Sequence, residues 1–157
     1  MKGIFSVLVE NHDGVLSQIS GLFARRGFNI DSLVVGETEQ RDVSSMTIVS
    51  TGDQRTIDQI EKHLNKKPDV IKVRRLEENR SVSMEMMLIK VGCTPANRST
   101  LIEICSIMEG RIMHVSPRSM MIEVHGTPER ISDFIEMVRS YGIIEMQRTC
   151  VISLGRS

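Results

Sequence analysis

Phe5-Ser-Val-Leu-Val-Glu-Asn-His-Asp-Gly-Val-Leu-Ser-Gln-Ile19 runs an apolar strand into an Asn/Asp/Gly turn and out into an amphipathic helix, with no spacer on either side. Residues 3 to 10 mix β-branched and large apolar side chains over a strand's length. Val15, Leu16, Ile19, Leu22 and Phe23 then recur at the spacing of a half-buried helix. Such a junction leaves backbone N–H groups unpaired at the helix start, and the helix dipole favours an anion in the volume they face. A small carboxylate suits that volume. The plainer reading, a tight turn that only starts a helix, stays open on these residues.

Working outward, Gly27 is a helix C-cap, and two strands follow, Ile30 to Glu37 and Val43 to Thr51, joined by the polar turn Thr38 to Asp42. Asp53 caps a second helix with Ile57, Ile60 and Leu64 on one face; Pro68-Asp69 stops it, and Val70 to Leu76 is a fourth strand. The order then repeats. Val82 to Val91 is a strand, Pro95 to Met108 a helix, Arg111 to Pro117 and Met120 to His125 strands, Pro128 to Ser140 a helix, and Ile143 to Leu154 a strand. Thr94-Pro95 and Thr127-Pro128 both read as N-cap and first helical residue. The spacing predicts an α+β chain of two tandem ferredoxin-like βαββαβ domains, residues 1–77 and 82–157, divided by Glu77-Glu-Asn-Arg-Ser81. Ile4 and Leu8 point away from Phe5, Val7 and Val9, so the first strand is apolar on both sides. That surface, and halves of only about 75 residues, favour association with another chain.

Lys plus Arg and Asp plus Glu each total 20, so no net field draws the chain to nucleic acid or an anionic membrane. The aromatic residues are Phe5, Phe23, Phe28, Phe134 and Tyr141, too few on the central strands to stack RNA bases. Glu10 and Asp13 at the first turn argue against a phosphate-holding enzyme. No Walker A loop, no G-x-G-x-x-G and no nucleophile with a matched base appears, and no His/Cys/Asp/Glu cluster stands at ligand spacing. His63, His114 and His125 read as surface or structural histidines, whereas His12 lies in the proposed binding turn. Cys93, Cys105 and Cys150 are odd in number and far apart, which fits free thiols in a reducing compartment. Met1-Lys-Gly-Ile has no signal-peptide pattern, and a cytoplasmic location is expected. Met84, Met86 and Met87 read either as core or as an adaptable contact surface.

Glu10-Asn-His-Asp-Gly-Val-Leu16 followed by Gly21-Leu-Phe-Ala-Arg-Arg-Gly-Phe-Asn-Ile-Asp-Ser-Leu33 resembles the opening of the ACT-domain regulatory subunits of acetohydroxyacid synthase, also called acetolactate synthase. Met46-Thr-Ile48, Gln59-Ile-Glu-Lys-His-Leu64 and Glu85-Met-Met-Leu-Ile-Lys90 extend the similarity along the chain. The resemblance implies a non-catalytic homodimer whose N-terminal ACT domains pair side by side with a branched-chain amino acid, usually valine, between them. It also implies a partner, the large catalytic subunit, which this chain activates and feedback-regulates. Thiamine diphosphate, magnesium and FAD would belong to that subunit and none to this chain. By position, the family's effector residues fall on Asn11, Gly14 and Asn29. Asp13 is counted with them as part of the turn.

Gly14, Val15 and Leu16 present N–H groups to a carboxylate, and Asn11 and Asn29 reach an ammonium or the carboxylate through their amides. Leu16 and Ile30 surround an isopropyl group. Whether Asn29 comes from the same chain or from its mate is left open. A stand-alone ACT-type amino-acid sensor or transcriptional regulator is the alternative, although no helix-turn-helix remains unassigned. A small enzyme is a more distant one.

Overall fold

The strand, turn and helix of the opening segment form as read. In a computed structural model that describes residues Met1–Ser157, β1 spans Lys2–Glu10 and α1 spans Val15–Arg26. Gly27 closes α1 at φ 68°, in the left-handed region that glycine enters without steric cost. β2 (Ser32–Glu37), β3 (Val43–Thr51), α2 (Gln54–Asn65) and β4 (Val70–Leu76) complete the first βαββαβ set. Asp53 accepts a hydrogen bond from Thr56 N at 2.7 Å, the N-cap expected of it.

The first sheet is antiparallel with strand order β2-β3-β1-β4. Phe5, Val7 and Val9 of β1 and Met46 and Ile48 of β3 turn to the helices, where Val15, Ile19, Leu22 and Phe23 of α1 and Ile57, Ile60 and Leu64 of α2 close the core. On the opposite face, Ile4 pairs with both Val49 and Leu76, and those two are buried outside that core. A short ribbon lies there. Ser83 and Ser153 meet through their hydroxyls at 2.5 Å, Arg156 N donates to Arg80 O, and Gly155 stands against Arg74 and Leu76. One end of the apolar surface read from Ile4 and Leu8 is therefore covered by the chain's own C-terminus.

In the second set, β5 (Ser81–Gly92), α3 (Arg98–Ile107), β6 (Arg111–Val115), β7 (Ser119–Gly126), α4 (Pro128–Val138) and β8 (Ile143–Arg148) give the order β6-β7-β5-β8. Thr127 caps α4 by accepting from Arg130 N, with Pro128 in the first turn as predicted. Thr94-Pro95 does not start α3. Asn97 takes the N-cap position instead, and its side chain accepts from Thr94 N at 2.7 Å, folding residues 94 to 97 into a turn before the helix. Met87 is core; Met84 and Met86 are exposed. Glu85, buried on the same face as Met87, is answered by the guanidinium of Arg148.

The run Ile143 to Leu154, read as one strand, is two. Cys150 sits at φ 67° and breaks it, so that β8 ends at Arg148 and β9 (Ile152–Gly155) pairs with β5. Compact units consequently differ from the segments 1–77 and 82–157 both in where the division falls and in where the last residues belong. Met1–Ser83 and Val151–Ser157 form the first unit and Met84–Cys150 the second, the last residues having returned to the ribbon.

Gly92 ends β5 where backbone meets backbone. Its N–H donates to Gly142 O at 2.8 Å, and a Cβ there would lie 2.5 Å from the carbonyl oxygen of Tyr141. That oxygen belongs to the main chain and has no rotamer to escape through. Gly92→Ala should therefore destabilise the second unit by roughly 2 kcal/mol, read as a lower urea midpoint at unchanged slope; an unaltered midpoint would show that the strand end yields freely.

Candidate functional site

The turn between β1 and α1 is tied down on both sides by the ends of neighbouring strands. Asn11 N donates to Asp42 O and Asn11 Nδ2 to Arg41 O, both at 2.8 Å, which fastens the turn to the β2–β3 loop. Glu10 N donates to Asp69 O at 2.9 Å, which fastens it to the residue before β4. Gly14 is the N-cap of α1 at φ 87°, a conformation that glycine adopts without steric cost, and it brings no Cβ to the helix mouth. No side chain caps this helix, unlike α2 and α4. The N–H groups of Gly14, Val15 and Leu16 thus lie before the first intrahelical bond, Gln18 N to Gly14 O.

The side chains around this mouth divide by role. Val15 is buried in the core and offers the site only its N–H, whereas Leu16 is 46% exposed beside it. Asp13 is exposed. Asn11 donates one N–H of its NH2 to a carbonyl, which fixes the amide and identifies its oxygen, and that oxygen is free to accept from a ligand donor. The turn thus offers N–H donors to a carboxylate and an amide oxygen to an ammonium group, the two ends of an α-amino acid.

Asn29 and Ile30 are not brought to this turn within one chain. The register pairs Glu10 with Val43, whereas Asn29 O accepts from the Ser50 hydroxyl at the other end of β3. Seven residues of extended strand separate those points, roughly 23 Å. The length of α1, 12 residues and about 18 Å, agrees with that separation. Asn29 donates to the Asp31 carboxylate, leaving its own amide oxygen free, and Ile30 packs in part against the first core.

Residues 84–157 match the family model described as the small subunit of acetolactate synthase, and residues 5–72 match that of the AHAS small subunit-like ACT domain. The probable acetolactate synthase small subunit of Archaeoglobus fulgidus is 46% identical over 156 residues, covering 99% of this chain and 98% of that one. The acetolactate synthase small subunit of Mycolicibacterium smegmatis is 45% identical over 151 residues, covering 96% and 89%. The chain belongs to the acetolactate synthase small-subunit family. The crystal structure of the small subunit from Thermotoga maritima superposes with a TM-score of 0.92 at 34% identity, over 100% of this chain and 98% of that one. Both units are ferredoxin-like, and the first is an ACT domain.

In this small-subunit chain the fold also assembles a group that local sequence does not reveal. His12 Nε2 stands 2.9 Å from Asp69 Oδ1 and 3.3 Å from Glu10 Oε2, and Nδ1 stands 3.0 Å from the carbonyl oxygen of Asp13. Asp69 is remote in sequence, and only the antiparallel pairing of β1 with β4 brings it here. Glu10, His12 and Asp69 are close enough to share an ion. Both ring nitrogens face acceptors, so in the imidazolium form both donate, neither offers a lone pair to a metal, and the group is a hydrogen-bonded ion cluster. The bond to the Asp13 carbonyl, followed by that to Asp69, raises the pKa of His12 above the usual 6.5. A raised folded-state value means that these bonds contribute fully below the unfolded pKa of about 6.5 and are lost as pH rises through the folded one.

Proposed function

We propose that this chain is the regulatory subunit of acetolactate synthase, and that it reports the level of a branched-chain amino acid, valine, to a separate catalytic chain. The observation that carries the effector site is the uncapped start of α1, where Gly14 at φ 87° leaves three backbone N–H groups facing outward beside the free amide oxygen of Asn11. Family membership supplies the catalytic partner; the mouth of α1 supplies chemistry for an amino acid. Leu16 provides an exposed apolar surface for an isopropyl side chain.

The separation of Asn29 from the turn supports a site shared between two copies. β2 is an edge of the first sheet and has unpaired backbone groups along its outer side. If two β2 edges pair antiparallel about a two-fold axis, the start of each strand lies beside the end of the other. The end of β2 lies at the same end of the sheet as the Asn11–Gly14 turn, since Glu37 pairs with Ser44 and Val9 pairs with the same residue. Asn29 and Ile30 of the second copy then approach the turn of the first.

Valine occupancy would change the dimer and, through it, the catalytic subunit. Thiamine diphosphate, magnesium and FAD are assigned to that subunit, and this chain to a non-catalytic role beside it in the cytoplasm. No helix is long and apolar enough to cross a membrane. Coupling of this kind is typically about 1 to 3 kcal/mol and reciprocal, so the catalytic chain should in turn alter valine affinity. Calorimetric titration of the full chain with valine, leucine and isoleucine at millimolar concentration tests the effector site. Heat and thermal stabilisation with valine are expected, and neither with any of the three would overturn it. Acetolactate formation by the catalytic subunit, measured with and without this chain, tests the regulatory role; unchanged turnover would refute it.

A further inference from the structure

We propose that His12, in its imidazolium form, is the positioning residue of the effector turn, and that effector affinity therefore falls as pH rises. This rests on the effector site described above, but its physical basis is separate. Nδ1 of His12 faces the carbonyl oxygen of Asp13, and Nε2 faces the carboxylates of Asp69 and Glu10. Carbonyls and carboxylates only accept, so the ring satisfies both sides at once only when both nitrogens carry protons. The bond to the Asp13 carbonyl sets the orientation of the Asp13–Gly14 peptide. In a trans peptide the carbonyl and the following N–H point in opposite directions, so fixing Asp13 C=O on the imidazole turns Gly14 N–H to the other side. That N–H belongs to the helix mouth proposed to hold the ligand carboxylate.

Charge acts in the same sense. The groups that face His12 are Glu10 from the end of β1, Asp69 from the residue before β4, and the Asp13 peptide of its own turn, and no cation pairs with it. The carboxylates of Glu10, Asp69 and the nearby Asp13 would repel a fourth at the turn. The imidazolium is the one positive charge placed to offset them. Deprotonation removes that charge and releases one of the two ring bonds, so the turn loses its anchor when the site becomes less favourable for an anion. The hydrogen bond that His12 donates to the Asp13 carbonyl, then the one to the Asp69 carboxylate, place this transition above the pH of an isolated histidine.

Two measurements on the full-length chain test this. Valine dissociation constants from calorimetry between about pH 5.5 and 8.5 should weaken about threefold to tenfold as His12 deprotonates. The Gly14 amide resonance of the ligand-free protein should titrate with the same midpoint as the His12 ring. Asp69→Asn should move both midpoints to lower pH, a displacement that a merely structural residue would not produce. His12→Gln, which keeps one donor and no charge, should abolish the slope and hold valine affinity near the high-pH value. A flat pH profile in the parent chain, or a Gly14 amide that ignores the His12 titration, would overturn the proposal. Absence of valine binding at every pH, with the Gly14 amide still following His12, would instead overturn the effector reading and leave the positioning role of His12 standing.

Discussion

Gly14→Asp is expected to weaken valine binding on the order of a hundredfold and to release the catalytic subunit from feedback inhibition. A Cβ built on Gly14 meets nothing within 4 Å, so the new side chain has room and the fold has no clash to relieve. The backbone stays at φ 87°, where a side chain costs about 1 kcal/mol and aspartate is among the residues that tolerate it. The unit should therefore remain folded and able to associate. What changes is the charge at the helix mouth, where a carboxylate now occupies the volume that the Gly14, Val15 and Leu16 N–H groups face and satisfies them from within. Gly14→Asn separates the two effects, because it has the same size and backbone strain without the charge; its affinity should fall between the parent and the aspartate variant. Valine inhibition that survives Gly14→Asp in the reconstituted holoenzyme would show that the carboxylate is held elsewhere.

The parts of this fold that the sequence made legible are those set by neighbours in the chain. The Asp53 cap, the Thr127-Pro128 start and the Gly27 stop are local chemistry, and each forms as read. Thr94-Pro95 carries the same signature as Thr127-Pro128 and still fails, because Asn97 captures the Thr94 N–H and makes a turn that competes with an early helix start. The break after Arg148 was invisible for a different reason. Cys150 takes a positive φ that nothing in its residue type announces, and the partner of β9 is the distant start of β5.

The candidate site shows the same division. The helix start at Gly14 was legible because a strand, turn and helix in direct succession leave the first N–H groups of the helix at the turn. The His12 cluster was not, since Asp69 joins it through sheet pairing over 57 residues. The distance between Asn29 and the turn likewise follows from the β1–β3 register, and a string such as Gly27-Phe-Asn-Ile30 conveys none of it. Adjacency of Asn11, Gly14 and Asn29 in a shared function is thus compatible with their lying at opposite ends of one sheet only if a second chain closes the gap.

That condition has a direct genetic readout in mixed dimers. Gly14→Asp spoils the turn, and Asn29→Ala removes the amide oxygen proposed to reach the ligand from the mate, so each variant homodimer should bind valine poorly. In a heterodimer of the two, one site combines the damaged turn of one chain with the alanine of the other and is doubly defective. The second site combines an intact Gly14 turn with an intact Asn29 and is identical to the parent. Refolding an equal mixture should therefore restore parent-like affinity at about a quarter of the sites, since half the dimers are mixed and each has one good site. A site built within a single chain gives the opposite result, because every chain carries one lesion and no pairing repairs it. The register already makes the single-chain arrangement implausible on distance, about 23 Å along β3, far beyond the reach of one amino acid. Calorimetry showing no high-affinity valine sites in the mixture, with heterodimer formation verified by mass, would overturn the shared site, whereas an Asn29→Ala homodimer that binds valine like the parent would remove Asn29 from the site and leave the ligand held by the turn of one chain.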